Sequence, residues 1–339
     1  MRPPTTIEED VQPIISAAGE MYASVLMGPR DFRVNRVPTP TPDKGMARIR
    51  LEGCGVCASN VLPWEGREWV KYPLPEGQPG HEGWGYVDAL GDGVTGFHVG
   101  QRVSMLSYHA FAQYDVAPVD RVVPLPPELD GKPFPAVPLG CVVDVFRKSK
   151  IAKGDTVAIV GIGFLGSLLT QMAANAGARV IAISRRPGPL VLAQAFGAEL
   201  TLSVDDRRKV VSTVRDATAG KLCDVTIEAA GKQATLDLAC QLTRESGRFV
   251  VAGYHQDGPR EMNLGMLNWR GIEVVNAHER DPILCVDGMK AAVEEAVKGR
   301  LAPWPLFTHT FPMEELGEAL TLTRDRPDGF MKALIEIAA

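Results

Sequence analysis

Strand-like runs of apolar and polar residues fill the first third of the chain: ARIRLEG, WGYVDAL and QRVSML, separated by Gly, Pro and Asp. Short runs with this punctuation predict an all-β, barrel-like unit from Met21 to about Val123. The pattern changes near residue 136. PLGCVVDVFRKSKI has the length of a helix and ends before Lys153-Gly154-Asp155. TVAIV follows, a continuous apolar run of the kind a strand buried on both faces requires. Then come GIGFLG, the amphipathic SLLTQMAANAG and the strand RVIAI, a β–α–β unit. DVTIEAAG and GRFVVAGY read as further parallel strands, each after a helical stretch. LCVDGMKAAVEEAVKGRL reads as a helix, and the tail closes with a helix and a last strand. No repeat at solenoid or propeller spacing is visible. The pattern predicts a β-rich unit, a parallel α/β unit inserted into it and a C-terminal return. Residues 1–20 are polar and Pro-bearing, and read as an extension.

Composition narrows the class. At 339 residues two domains are expected, and 45% apolar residues suffice for two cores. The net charge of -5, with no basic run, argues against nucleic acid or an anionic membrane surface as partner. No apolar stretch has the length of a membrane span, and MRPPTTIEED lacks the apolar centre of a secretory signal. Six cysteines are sparse for this length, which fits a reduced, cytoplasmic setting.

Gly161, Gly163 and Gly166 form GxGxxG between an apolar strand and an amphipathic helix. The first glycine permits the tight turn, the second lets a pyrophosphate approach, and the third lets helix and strand pack closely. The helix start, Phe164 and Leu165, turns free N–H groups toward the phosphates. A chain that binds NAD usually places an acid about 20 residues on, to grip the ribose. Here RVIAI ends in Ser184, Arg185 and Arg186 instead. A serine and two arginines suit a 2′-phosphate, so NADP(H) is expected over NAD(H).

The stretch GCGVCASN holds Cys54 and Cys57 three apart. Alone, it could be a redox pair, half of a four-cysteine zinc site, or two buried thiols. Further donors lie far off, at His81 and Glu82 in PGHEGWG and at Cys141 in PLGCVV. A catalytic zinc takes three protein ligands and keeps one position open. Two thiolates and one imidazole would leave such a site formally neutral.

Taken in order, GCGVCASN, PGHEGWGYV, GDGVTGFHVGQRV, AFAQY, VAIVGIGFLG, DVTIEAAG and GRFVVAGY resemble the medium-chain dehydrogenase/reductase superfamily. Specifically, the chain is similar to zinc-dependent alcohol dehydrogenase-like proteins from about Met21 to its end. The resemblance implies an α/β protein: a GroES-like β-barrel catalytic domain (21–145 and 282–339) and a Rossmann domain with a doubly wound parallel sheet (146–281). It implies one catalytic zinc per chain on Cys57, His81 and Cys141, with Glu82 as a neighbouring acid able to ligate. Ser59 matches the hydroxyl that bonds the substrate oxygen and starts the proton relay. Ala229 and Gly253 join the expected cofactor contacts. Two departures stand out. Asn60 replaces the acid that orients the ligand histidine, and Leu62 stands where some relatives carry a relay histidine. The four-cysteine structural-zinc lobe is absent, since no cysteine lies between Trp84 and Phe111.

The implied activity is hydride transfer between a nicotinamide cofactor and a small alcohol or carbonyl substrate. Trp64, Trp69, Tyr108 and His278 are candidate pocket residues. The polar and aromatic WEGREWVKYPLPEG hints at a polyol or sugar derivative. Two other readings are a zinc-free, NADPH-dependent reductase of an activated double bond and a non-catalytic nucleotide-binding protein. Both sit poorly with the full Cys57, His81 and Cys141 set. The family implies a homodimer or homotetramer.

Overall fold

The computed structural model describes residues 19–255 and 257–338; residues 1–18 of the expected extension lie outside them. The first elements are an antiparallel hairpin of β1 (Glu20–Gly28) and β2 (Asp31–Pro38). β3 (Met46–Gly55) follows, then a 3-10 turn, Ala58–Asn60, running into the short α1 (Val61–Glu65). β4 (Gly83–Leu90), β5 (Arg102–Met105), β6 (Tyr114–Pro118) and β7 (Val122–Pro124) complete the N-terminal part.

Alternation explains β3. Ala47, Ile49 and Leu51 are buried in the barrel core. Arg48 and Arg50 point the other way, over the rings of Tyr114 and Tyr86 at 5.6 and 5.4 Å. β3 is also the hub of the sheet. It pairs antiparallel with β4, with β6, and with the last strand of the chain, β15 (Lys332–Glu336).

After α2 (Ala136–Ser149) comes the parallel unit. Its strands are β8 (Thr156–Val160), β9 (Arg179–Ser184), β10 (Leu200–Ser203), β11 (Cys223–Glu228), β12 (Thr243–Val251) and β13 (Glu273–Asn276). The helices between them are α3 (Phe164–Asn175), α4 (Pro187–Ala195), α5 (Arg207–Ala217), α6 (Gln233–Leu242) and α7 (Leu264–Arg270). Val157–Val160 of β8 are buried, as the continuous apolar run TVAIV predicts. The strand order is β10-β9-β8-β11-β12-β13, all parallel. This doubly wound order reverses between β8 and β11, and a ligand crevice lies outside the carboxyl ends of the strands there.

The chain returns to the barrel through α8 (Pro282–Val297), β14 (Phe307–Pro312) and α9 (Leu316–Asp325) before β15. α2 and α8 cross closely: a side chain on Gly140 would sit 2.7 Å from the Met289 backbone nitrogen. The expected domain division after residue 145 falls inside α2, and α8 begins at 282. One apolar cluster runs from Trp84 and Val123 through both helices into the parallel sheet. No helix among the described residues is long and apolar enough to cross a membrane.

Candidate active site

Strand register brings the metal donors together. Cys54 on β3 pairs with Gly83 on β4, so the chain just past one strand meets the chain just before the other. Cys57 therefore faces His81 and Glu82, and their donor atoms all lie within 4.8 Å of one another. Gly55 is part of this construction, because a Cβ there would fall 2.0 Å from Glu82 Oε2. Cys54 is fully buried, with its Sγ toward the Gly55 carbonyl. Burial holds its thiol protonated, well above the usual range.

The geometry also sets the histidine tautomer. His81 Nδ1 donates to the Pro79 carbonyl at 2.9 Å, which leaves Nε2 free as a ligand atom. The side-chain carbonyl of Asn60 accepts from Cys57 N–H at 2.9 Å, and its amide nitrogen donates to Pro79 O at 2.8 Å. The amide nitrogen is 3.3 Å from His81 Nδ1. The carbonyl of Asn60 thus braces the thiol loop rather than the imidazole, and the Pro79 carbonyl orients the ring. Burial works against the charged His81, but the hydrogen bond and charge of the Cys57 thiolate raise it to about 9. Burial and the Glu82 charge push Cys57 up, but the hydrogen bond and charge of His81 and the charge of Lys332 together outweigh them, so its thiol falls below the usual value. A thiolate, an imidazole with one free nitrogen and a carboxylate are a donor set that fits Zn²⁺.

Cys141 lies on α2, outside this three-donor group, with its side chain open to solvent. Protein crowds around it on its other sides. Burial first, then the Cys57 charge, pushes its thiol up to about 12. Ser59 is half-buried on the 3-10 turn directly after Cys57. Leu62 is buried on α1.

The candidate pocket residues divide. The Tyr108 ring is 58% exposed and its centroid is 6.2 Å from that of His81, beside the donor set. Trp64 is not a pocket residue. It is buried in the barrel core, capped by the guanidinium groups of Arg30 and Arg324 at 5.3 and 5.6 Å, because α9 packs on α1. Trp69 is exposed in the loop after α1. His278 is exposed beside Lys148 and Glu279, its carbonyl accepting from Lys148 Nζ at 3.4 Å.

The glycine loop closes β8 onto α3. Gly161 has φ of +107°, and a Cβ on it would meet Ala230 N at 2.7 Å across the crevice. Gly163 is the N-cap of α3, carries no capping side chain, and would find nothing within 4 Å of an added Cβ. That open space above free N–H groups suits a pyrophosphate. Phe164 and Leu165 open α3, and Gly166 packs against the Gly161 carbonyl. Ala229 donates to Val160 O at the reversal point, and Gly253 abuts Glu228. Ser184 Oγ accepts from Arg186 N at 3.2 Å, and Arg185 is exposed.

One residue escaped the sequence reading. Lys332, at the start of β15, is buried and places Nζ 2.5 Å from Glu82 Oε2. The same ammonium lies 5.1 Å from the centre of the Phe164 ring. Its signal was a lone cation in the apolar run FMKALIEIA.

These features define a nicotinamide-dependent dehydrogenase of the zinc type, and the comparisons agree. The family described as alcohol dehydrogenase GroES-like domain matches residues 43–127, and zinc-binding dehydrogenase matches 165–295. An alcohol dehydrogenase of Rhizobium meliloti is 31% identical over 65% of this chain and 73% of its own. An erythritol/L-threitol dehydrogenase of Mycolicibacterium smegmatis is 28% identical over 93% and 98%. Among solved structures, an NADP-bound zinc-binding dehydrogenase of Sinorhizobium meliloti has the same fold, with a TM-score of 0.81 over 94% and 99% of the two chains at 23% identity. The chain belongs to the zinc-dependent alcohol dehydrogenase-like family of the medium-chain dehydrogenases/reductases.

Proposed function

We propose that this chain interconverts a secondary alcohol of a polyol or sugar derivative and its carbonyl, using NADP(H) and one catalytic zinc. The observation that carries the reading is the Cys57, His81 and Glu82 donor set, with Ser59 two residues past Cys57 and Phe164 linked to Glu82 through Lys332. Cys141, solvent-facing and close enough to feel the Cys57 charge, is the third ligand beside Cys57 and His81, with Glu82 as the neighbouring acid, so one position stays open for the substrate oxygen. The name of the erythritol/L-threitol dehydrogenase relative supports a polyol.

Bound here, zinc supplies Lewis-acid polarisation of the substrate oxygen, and the nicotinamide accepts or returns the hydride. The residues of the chain do the rest. Ser59 Oγ accepts the substrate hydroxyl proton in oxidation and returns one in reduction. With Leu62 in place of a histidine, that proton leaves through water or the cofactor ribose. The pair of Glu82 and Lys332 holds the carboxylate against the donor group. Tyr108 walls the site beside His81.

Ser184 and the exposed Arg185, with no acid at the end of β9, favour NADP(H). Comparing kcat/KM for the two cofactors tests this: a clear preference for NADH contradicts it. A homodimer or homotetramer is the proposed assembly. β13 is the terminal strand of the parallel sheet, with Val274 exposed on it and Trp269 exposed just before it.

A further inference from the structure

Arg186 does something that the cofactor reading does not require. Its Nη1 donates to the Phe330 carbonyl at 2.6 Å and to the Pro327 carbonyl at 3.2 Å, and Nη2 lies 3.9 Å from Met331 Sδ. These partners belong to the segment between α9 and β15, on the barrel side of the crevice. Asp328 of the same segment lies 3.9 Å from where a Cβ on Gly188 would stand, at the start of α4. Arg186 thus ties the end of β9 to the returning chain.

That segment stitches the two units together. Phe330 is buried in the barrel core, Met331 in the core that includes the parallel sheet, and Lys332 pairs with Glu82. Met331 N also donates to Thr308 Oγ1 at 3.0 Å on β14. The position of the Lys332 ammonium is therefore fixed within two residues of the Arg186 contacts. Arg185, in contrast, is exposed and has no hydrogen-bond or ion-pair partner among the described residues.

We propose that the two arginines have separate roles: Arg185 reads the 2′-phosphate, and Arg186 is a positioning residue that sets Lys332, and through it Glu82, from the cofactor side of the crevice. A guanidinium with two carbonyls on one nitrogen is committed to a structural fork. Removing it frees the 327–331 segment and lets the buried ion pair at the metal site drift. The inference rests on the zinc- and NADP-linked reading above.

The test uses full-length, zinc-loaded protein. Zinc affinity is read by competition with a chromophoric chelator, and kcat and KM are read with both NADP⁺ and NAD⁺. Partners that orient metal ligands typically matter by about 10–100-fold. Arg186→Gln is expected to lower zinc affinity and kcat by about tenfold, equally with the two cofactors. Arg186→Lys, which keeps one donor for Phe330 O, restores part of both, and carries the test should the glutamine variant fail to fold. Arg185→Gln raises the KM for NADP⁺ and leaves zinc affinity at the wild-type value. The inference is overturned if the Arg186 variants lose NADP⁺ affinity alone, with zinc affinity and NAD⁺ turnover as in wild type, or if they change nothing. Wild-type protein that binds no zinc would remove the underlying reading instead.

Discussion

Lys332 Nζ stands 2.5 Å from Glu82 Oε2, with both side chains almost wholly buried. Two charges in so dry a place stabilise each other only while both are present. Losing one partner of a buried pair leaves the other uncompensated, at a cost of about 3–5 kcal/mol. Lys332→Met should therefore lower the stability of chelator-treated protein by about that much, measured by denaturant unfolding. Glu82→Gln combined with Lys332→Met should recover most of the loss. Additive losses in the double variant would show that the pair is not coupled.

The glycine loop separates binding from folding. Gly163 faces open space, so Gly163→Val should raise the KM for NADP⁺ and leave thermal stability near wild type. Gly166 has the Gly161 carbonyl 2.0 Å from where a Cβ would stand. Gly166→Ala should therefore destabilise the protein by about 1–3 kcal/mol, as overpacking does. Equal stability for the two variants would contradict the assigned roles.

Much of this was legible in the sequence, for local reasons. TVAIV followed by GxGxxG is a strand, a turn and a helix start within a dozen residues, and β8 and α3 form there. The pairing of Cys57 with His81 and Glu82 had no local signal. It follows from β3–β4 register, which a family resemblance can supply and residue spacing cannot. Trp64 reads as a pocket aromatic because it lies seven residues after Cys57. Only the return of α9, placing Arg324 against its ring, explains why it is core. Lys332 was missed for the same reason, since its partner lies 250 residues earlier in the chain.

Asp144 gives a pH test away from the donor set. Its carboxyl is raised to about 6, first by burial, with Arg147 3.6 Å away only partly offsetting it. A carboxyl held above its unfolded value of 3.8 favours the native state while protonated. That contribution is complete below pH 3.8 and is lost as pH rises through about 6. Asp144→Asn should therefore raise the melting temperature at pH 8 and leave it near wild type at pH 4. The opposite order would contradict the burial argument.

Ser59 should matter for turnover and not for metal. A positioned proton-transfer group contributes about 10²–10⁴-fold. Ser59→Ala should lower kcat within that range while zinc content stays at wild type. Loss of zinc in this variant would make Ser59 structural.

The most direct measurement pairs zinc content with NADP⁺-dependent oxidation of a polyol such as erythritol, in wild-type protein and in Cys57→Ala. The account predicts one zinc per chain and cofactor reduction in wild type, with both lost together in the variant. Full turnover by Cys57→Ala, or active wild-type protein without zinc, would contradict it.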